Sequence, residues 1–147
     1  MENQIQKINC SICNSGVKKW GHKNGYDLWQ CLECKLVFVN PLSDPSSVYT
    51  KDYFSGAKNG FGYVDYDEDK KPMISTFEKY ISLFKKFGKE KGHVFDVGAA
   101  TGFFLDLCRS KGYEVSGVEI SDFAASLARE KGINVSTGIL KDSNLHQ

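Results

Sequence analysis

From His93 onward the sequence alternates between short apolar runs and helical patterns, and this alternation constrains the fold more than any other feature. Val94 to Val97 reads as a strand, Thr101 to Ser110 as a helix, Tyr113 to Glu119 as a strand, Asp122 to Lys131 as a helix and Ile133 to Ser136 as a third strand. Gly112 and Gly132 stand where the two helices end, a place for residues in the left-handed conformation. Strands separated by helices pair in parallel through right-handed crossovers, so the expected class is α/β with a partial Rossmann-like parallel sheet over 93–147.

The start of the chain reads differently. Two pairs, Cys10-x-x-Cys13 and Cys31-x-x-Cys34, have the spacing of a four-cysteine zinc site, because each CxxC turn aims two thiolates at one ion. Strand-like runs around Lys18 to Gly21, Tyr26 to Gln30 and Leu36 to Val39, with turn signals at Asn14-Ser15-Gly16 and Lys23-Asn24-Gly25, make 1–42 a zinc ribbon. Four thiolates leave no open coordination position, so a structural ion is expected. The alternative is two reduced or redox-active pairs. His22 is read as a surface residue, and Cys108 sits alone in a helical pattern. Lys18, Lys19, Trp20 and Lys23 form a small basic, aromatic cluster, but solvated lysines on a hairpin are the commoner case and no nucleic-acid partner is expected.

Between these regions, 43–92 reads as a helical connector. Asp44 suits an N-cap and Pro45 a first helical position, predicting a short helix through about Tyr53. The stretch SGAKNGFGYVDYDEDK is rich in glycine and tyrosine, as in a mobile or ligand-covering loop or an ordinary surface linker. Met73, Phe77, Tyr80, Ile81 and Phe84 then recur at helical spacing up to a stop at Gly88. A net charge of +1 supplies no global field for nucleic acid or an anionic membrane. No apolar run approaches the roughly 20 residues of a membrane span. The polar start MENQIQK lacks a secretory core, so a cytoplasmic chain with no membrane partner is expected.

The chemistry concentrates in DVGAATGFFLDLCRSKGYEVSGVEIS. Gly98 and Gly102, with Ala99 and Ala100 between them, supply a turn whose backbone can approach a ligand. Glu119 ends the next strand, where a carboxylate can accept both hydroxyls of a ribose. The dinucleotide fingerprint GxGxxG is absent, which weakens a pyrophosphate reading. Asp96 beside the turn suits a cationic ligand.

These residues resemble motif I and the end of strand two in class I S-adenosylmethionine-dependent methyltransferases, with Ala100 replacing the middle glycine. The upstream CSIC…CLECKLVFVNPLSDPSSVYTKDYF and GYVDY are similar to a bacterial subgroup with an N-terminal zinc ribbon, which includes sugar C-methyltransferases. The resemblance implies S-adenosylmethionine as cofactor, with Asp96, Gly98, Ala100 and Gly102 at its methionine end, Glu119 on the ribose and Ile120 beside the adenine. Tyr63 and Tyr66 would lie over cofactor or acceptor, and Asp142 is a candidate in the adenine loop. The implied function is methyl transfer to a sugar or other small-molecule acceptor, with no residue named as base. The family sheet has seven strands, so the resemblance also implies that this chain is an N-terminal part, inactive alone, with an exposed sheet edge open to self-association or a partner. The rival readings are a zinc-ribbon scaffold without catalysis and a nicotinamide-dependent oxidoreductase.

Overall fold

The computed structural model describes residues 8–41, 44–56 and 62–142. The chain divides into two compact units, one up to residue 43 and one from Asp44 onward. No described helix is long and apolar enough to cross a membrane.

The first unit is a three-stranded antiparallel sheet of β1 (Val17–Lys23), β2 (Tyr26–Cys31) and β3 (Val37–Val39), in that order. Asn24 and Gly25 have positive φ and close the β1–β2 hairpin, the conformation that an Asn-Gly turn favours. Among the described residues of this unit the buried ones are Cys10 and Cys31, and these residues form no buried apolar core.

In the second unit the expected helix after Asp44 is two short ones, α1 (Pro45–Val48) and α2 (Lys51–Phe54), broken where Thr50 turns extended ahead of α2. The Gly/Tyr-rich stretch is in part helical. Residues 57–61 lie outside those described, but Asp65 caps α3 (Tyr66–Lys70), its carboxylate accepting from the Glu68 amide. A 3-10 turn (Lys71–Met73) leads into α4 (Ile74–Lys86), and Gly88 takes positive φ just beyond it.

The sheet that follows is parallel, as the alternation predicts: β4 (His93–Val97), β5 (Glu114–Glu119) and β6 (Asn134–Thr137) lie in the order β4-β5-β6. They are joined by α5 (Phe103–Ser110) and α6 (Asp122–Glu130). Gly112 and Gly132 hold positive φ past these helices, as expected. Helix α5 begins two residues later than the sequence suggests, because Gly102 in the left-handed region is its N-cap.

Two cores share α5. Leu105 packs with Ala99, Ala125, Ala128, Ile133 and Val135, while Cys108 packs with Ile81 and Tyr113. Burial pushes the Cys108 thiol up to about 11, which makes it a core residue and not a reactive one. Ring contacts from Phe77 to Phe104 and from Phe84 to Tyr113 seat α4 on α5 and on the start of β5.

Candidate functional site

The four predicted cysteines converge. Their sulfurs lie within 4.8 Å of one another, with Cys10 Sγ to Cys34 Sγ at 3.6 Å and Cys13 Sγ to Cys31 Sγ at 3.4 Å. A tetrahedron with Zn–S bonds of about 2.3 Å has edges of about 3.8 Å, so this group can hold a metal ion such as zinc.

Each CxxC turn ends in a left-handed residue, Asn14 after Cys13 and Lys35 after Cys34. The turns are fixed by Asn14 N–H to the Cys10 carbonyl and Cys31 N–H to the Leu36 carbonyl, and joined by Leu32 N–H to the Gly16 carbonyl. The Ser15 hydroxyl and amide hold the Cys13 thiol down to about 6. Against a lowering by the Leu36 amide, the crowded thiol of Cys31 and burial push Cys34 up to about 12. Shared negative charge of this kind is what a divalent cation neutralises. His22 stands outside the cluster and bonds Asp27 at 2.7 Å. Lys19 reaches the same carboxylate at 2.9 Å, which neutralises one cation of the basic cluster.

In the second unit the strand ends form a cleft of two lobes. The larger, about 360 Å³, is lined by Gly98, Ala100, Glu119 and Ile120, by Tyr53, Tyr63 and Tyr66, and by Ile139 and Leu140 after β6. The smaller, about 260 Å³, is lined by Asp96, Gly98, Ala100, Tyr66, Lys70, Phe77 and Phe104 among others. Five of the six sequence-predicted residues therefore face one cleft. Gly102 does not: a Cβ there would stand 2.9 Å from Ile133 Cδ1 and 3.0 Å from Ala128 Cβ, so this glycine lets α5 approach α6. At Gly98 a Cβ would meet nothing within 4 Å, and the backbone there borders open cleft. The side chain of Asp142 lies outside the described residues, while Gly138, Ile139 and Leu140 of the same loop line the larger lobe.

Glu119 is buried, 5% exposed, and both of its oxygens are engaged: Oε2 accepts from Ala100 N–H at 2.8 Å and Oε1 from Ser121 N–H at 2.9 Å. It thereby fixes the turn that it faces. The Gly98 and Ala99 amides donate to the Val118 carbonyl, and the Gly102 amide donates to Ala99. Asp96 at the end of β4 is half-buried and has no hydrogen-bond or ion-pair partner among the described residues; burial and then the Glu119 charge raise its pKa.

Ala100 sits at φ 48°, where an alanine is strained and a glycine is not. Left-handed backbone costs an L-residue roughly 1–2 kcal/mol, partly offset by the extra chain entropy of glycine. Ala100→Gly is therefore expected to stabilise the second unit by about 0.5–1 kcal/mol, read from denaturant unfolding followed by helical circular dichroism. A destabilised variant would show that the alanine methyl contributes packing that outweighs its strain.

Sequence reasoning found Tyr63 and Tyr66 but missed most of the wall around them. Tyr49, Tyr53, Tyr63 and Tyr66 form a chain of edge-on rings with centres 5.1, 5.6 and 4.7 Å apart. Burial pushes Tyr66 up to about 12, so its hydroxyl stays protonated at neutral pH. Asp67, next to it on α3, accepts from the buried Thr101 hydroxyl and pairs with Lys131, whose ammonium also donates to the Thr101 carbonyl. This clamp fixes the tyrosine wall against α5 and α6, and its partners are too far apart in sequence for periodicity to have linked them.

No model of a known protein family matches the sequence, and no curated protein matches it.

Proposed function

We propose that the second unit binds S-adenosylmethionine and serves methyl transfer to a small-molecule acceptor, and that the first unit is a structural zinc site. The observation that carries the reading is the state of the turn after β4. The amides of Gly98, Ala99, Ala100 and Gly102 are committed to Val118, Glu119 and Ala99, so none of these four is left to cradle a pyrophosphate. An unpartnered carboxylate, Asp96, stands beside the turn instead, and a carboxylate attracts a cationic ligand and repels a phosphate. Both features favour an adenosine-containing cation over a dinucleotide.

In this reading Glu119 ends β5 at the ribose, and its remaining lone pairs accept from the hydroxyls while the backbone bonds hold it in place. Ile120, Ile139 and Leu140 give the larger lobe an apolar side for a purine. When bound, S-adenosylmethionine supplies a sulfonium methyl that an acceptor nucleophile takes as the C–S bond breaks, giving S-adenosylhomocysteine and releasing the acceptor's proton. The protein's part is to orient the two and exclude water. The protonated Tyr66 hydroxyl acts as wall and donor, not as base.

Calorimetric titration tests this. S-adenosylhomocysteine is expected to bind the wild type and NAD is not. Asp96→Asn should weaken S-adenosylhomocysteine at least tenfold, or about 1.4 kcal/mol. The raised Asp96 pKa gives the pH dependence a sign: the carboxylate must be ionised to hold an ammonium, so affinity falls with decreasing pH starting above 3.8, the ordinary carboxylate value. Tighter binding of NAD, or no S-adenosylhomocysteine binding by folded protein, overturns the proposal.

A further inference from the structure

At the end of the parallel sheet opposite the cleft, another concavity of about 450 Å³ opens between the last turn of α4 and the starts of β4 and β5. Its wall is apolar. Phe84 comes from α4, Val94 from β4, and the buried Tyr113 stands just ahead of β5, its ring edge-on to Phe84 with centres 5.6 Å apart. Its exposed rim is basic: Lys89, Lys91 and His93 line it, and among the described residues no carboxylate does.

The segment that carries the basic groups is tied down. The Lys89 amide donates to the Phe84 carbonyl at 2.7 Å, the Tyr113 hydroxyl donates to the Lys89 carbonyl at 2.7 Å, and the Glu114 amide donates to the Gly92 carbonyl at 3.0 Å. The His93 imidazole is held through Nε2 by the Ser116 hydroxyl at 2.8 Å. The acids that flank these residues in sequence, Glu90 and Glu114, form no ion pair with Lys89 or Lys91 among the described residues.

Water solvates an exposed ammonium well, so the lysines alone assign no ligand. The combination does. A bare anion leaves Phe84 and Val94 uncovered, and a neutral apolar molecule leaves both ammonium groups unmet. An apolar body with an acidic head uses wall and rim together, and the volume falls within the range of small-molecule sites, about 300–1,000 Å³. An aromatic body suits the wall, because a ring gains contact with Phe84 and Tyr113 beyond its burial.

We propose that this concavity binds a small amphipathic anion, an aromatic body bearing one carboxylate or phosphate, with Lys89 and Lys91 on the head and Phe84, Val94 and Tyr113 against the ring. The site lies at the other strand ends from the cleft and does not rest on the adenosyl reading.

The test uses the full chain, with the backbone amide shifts of Gly92 and Val94 followed by NMR and those of Gly98 and Ala100 reporting on the cleft. The probes are 3-phenylpropionate and phenyl phosphate, the neutral 3-phenylpropan-1-ol, and acetate, which lacks the ring. At least one aromatic anion is expected to move Gly92 and Val94 and to bind roughly tenfold more tightly than the alcohol or acetate, and the tighter of the two identifies the head. Lys89→Gln with Lys91→Gln alters exposed side chains, and the hydrogen bonds of Lys89 named above are main-chain ones, so the fold is expected to persist by helical circular dichroism. This variant should lower the anion to the level of the alcohol and leave the alcohol unchanged. Arginine at both positions should restore the preference, and Lys89→Glu with Lys91→Glu should turn it toward 3-phenylpropylamine. The proposal is overturned by aromatic anions that bind no better than the alcohol or acetate. It is equally overturned by a preference that survives the loss of both lysines, or by shifts that appear at Gly98 and Ala100 in place of Gly92 and Val94.

Discussion

Stripping the metal from the purified protein is expected to unfold residues 8–41 and to leave the α/β unit folded. The reason is the absence of an apolar core: in this segment the described residues that are buried are Cys10 and Cys31, both ligands of the proposed ion. A three-stranded sheet whose other described side chains are at most half-buried offsets little of the conformational entropy of its own ordering. Structural zinc in comparably small peptides contributes roughly 10–16 kcal/mol, which exceeds any other term available here. Both tryptophans of the chain, Trp20 and Trp29, belong to β1 and β2, while the second unit has none. Tryptophan emission therefore reports the first unit alone, and helical circular dichroism reports the second. A strong chelator, or Cys31→Ser, should shift the emission to that of solvent-exposed indole while the helical signal persists. Unchanged emission after complete removal of the metal would show that the cysteines are not what holds the sheet.

The elements that periodicity marks were legible in the sequence, and those that depend on tertiary partners were not. The three parallel strands and two intervening helices come within a few residues of the predicted bounds, because apolar spacing and the terminal glycines Gly112 and Gly132 act locally. The four cysteines were legible for the same reason, since a CxxC turn is a local device. Helix α3 was hidden in a stretch whose glycine and tyrosine content suggested a loop; the signal that marks it is Asp65 as N-cap with Glu68 three residues on. Lys70 was missed because a lysine on a short helix carries no signal until the fold sets it against Tyr63 on the lining of the smaller lobe. Gly102 was noticed for its turn position, which suggested ligand approach; nothing in the sequence signals that a Cβ there would meet Ala128 and Ile133.

Gly117 carried a signal that went unread, and substitution there is expected to be the most damaging single change in the second unit. A glycine inside the strand run EVSGVE often marks a close approach of backbone. A Cβ at Gly117 would lie 2.8 Å from the Asp96 carbonyl oxygen, 2.9 Å from Ala99 Cβ and 3.2 Å from Leu105 Cδ1. The first of these is main chain of the paired strand, Asp96 standing opposite Gly117 in the β4–β5 register, so it cannot yield by a rotamer change. Valine would gain up to about 1 kcal/mol from strand propensity, but overpacking against backbone costs about 3 kcal/mol, so the clash decides the sign. Gly117→Val should therefore destabilise the unit by about 2 kcal/mol net, read by helical circular dichroism in urea. Because relief of the clash moves β5 away from Asp96 and the turn, ligand binding should also be lost under conditions where the variant remains folded. A variant within a few tenths of a kcal/mol of wild type, with its binding intact, would mean that β4 and β5 have slack to separate and that the turn is not held by their close approach.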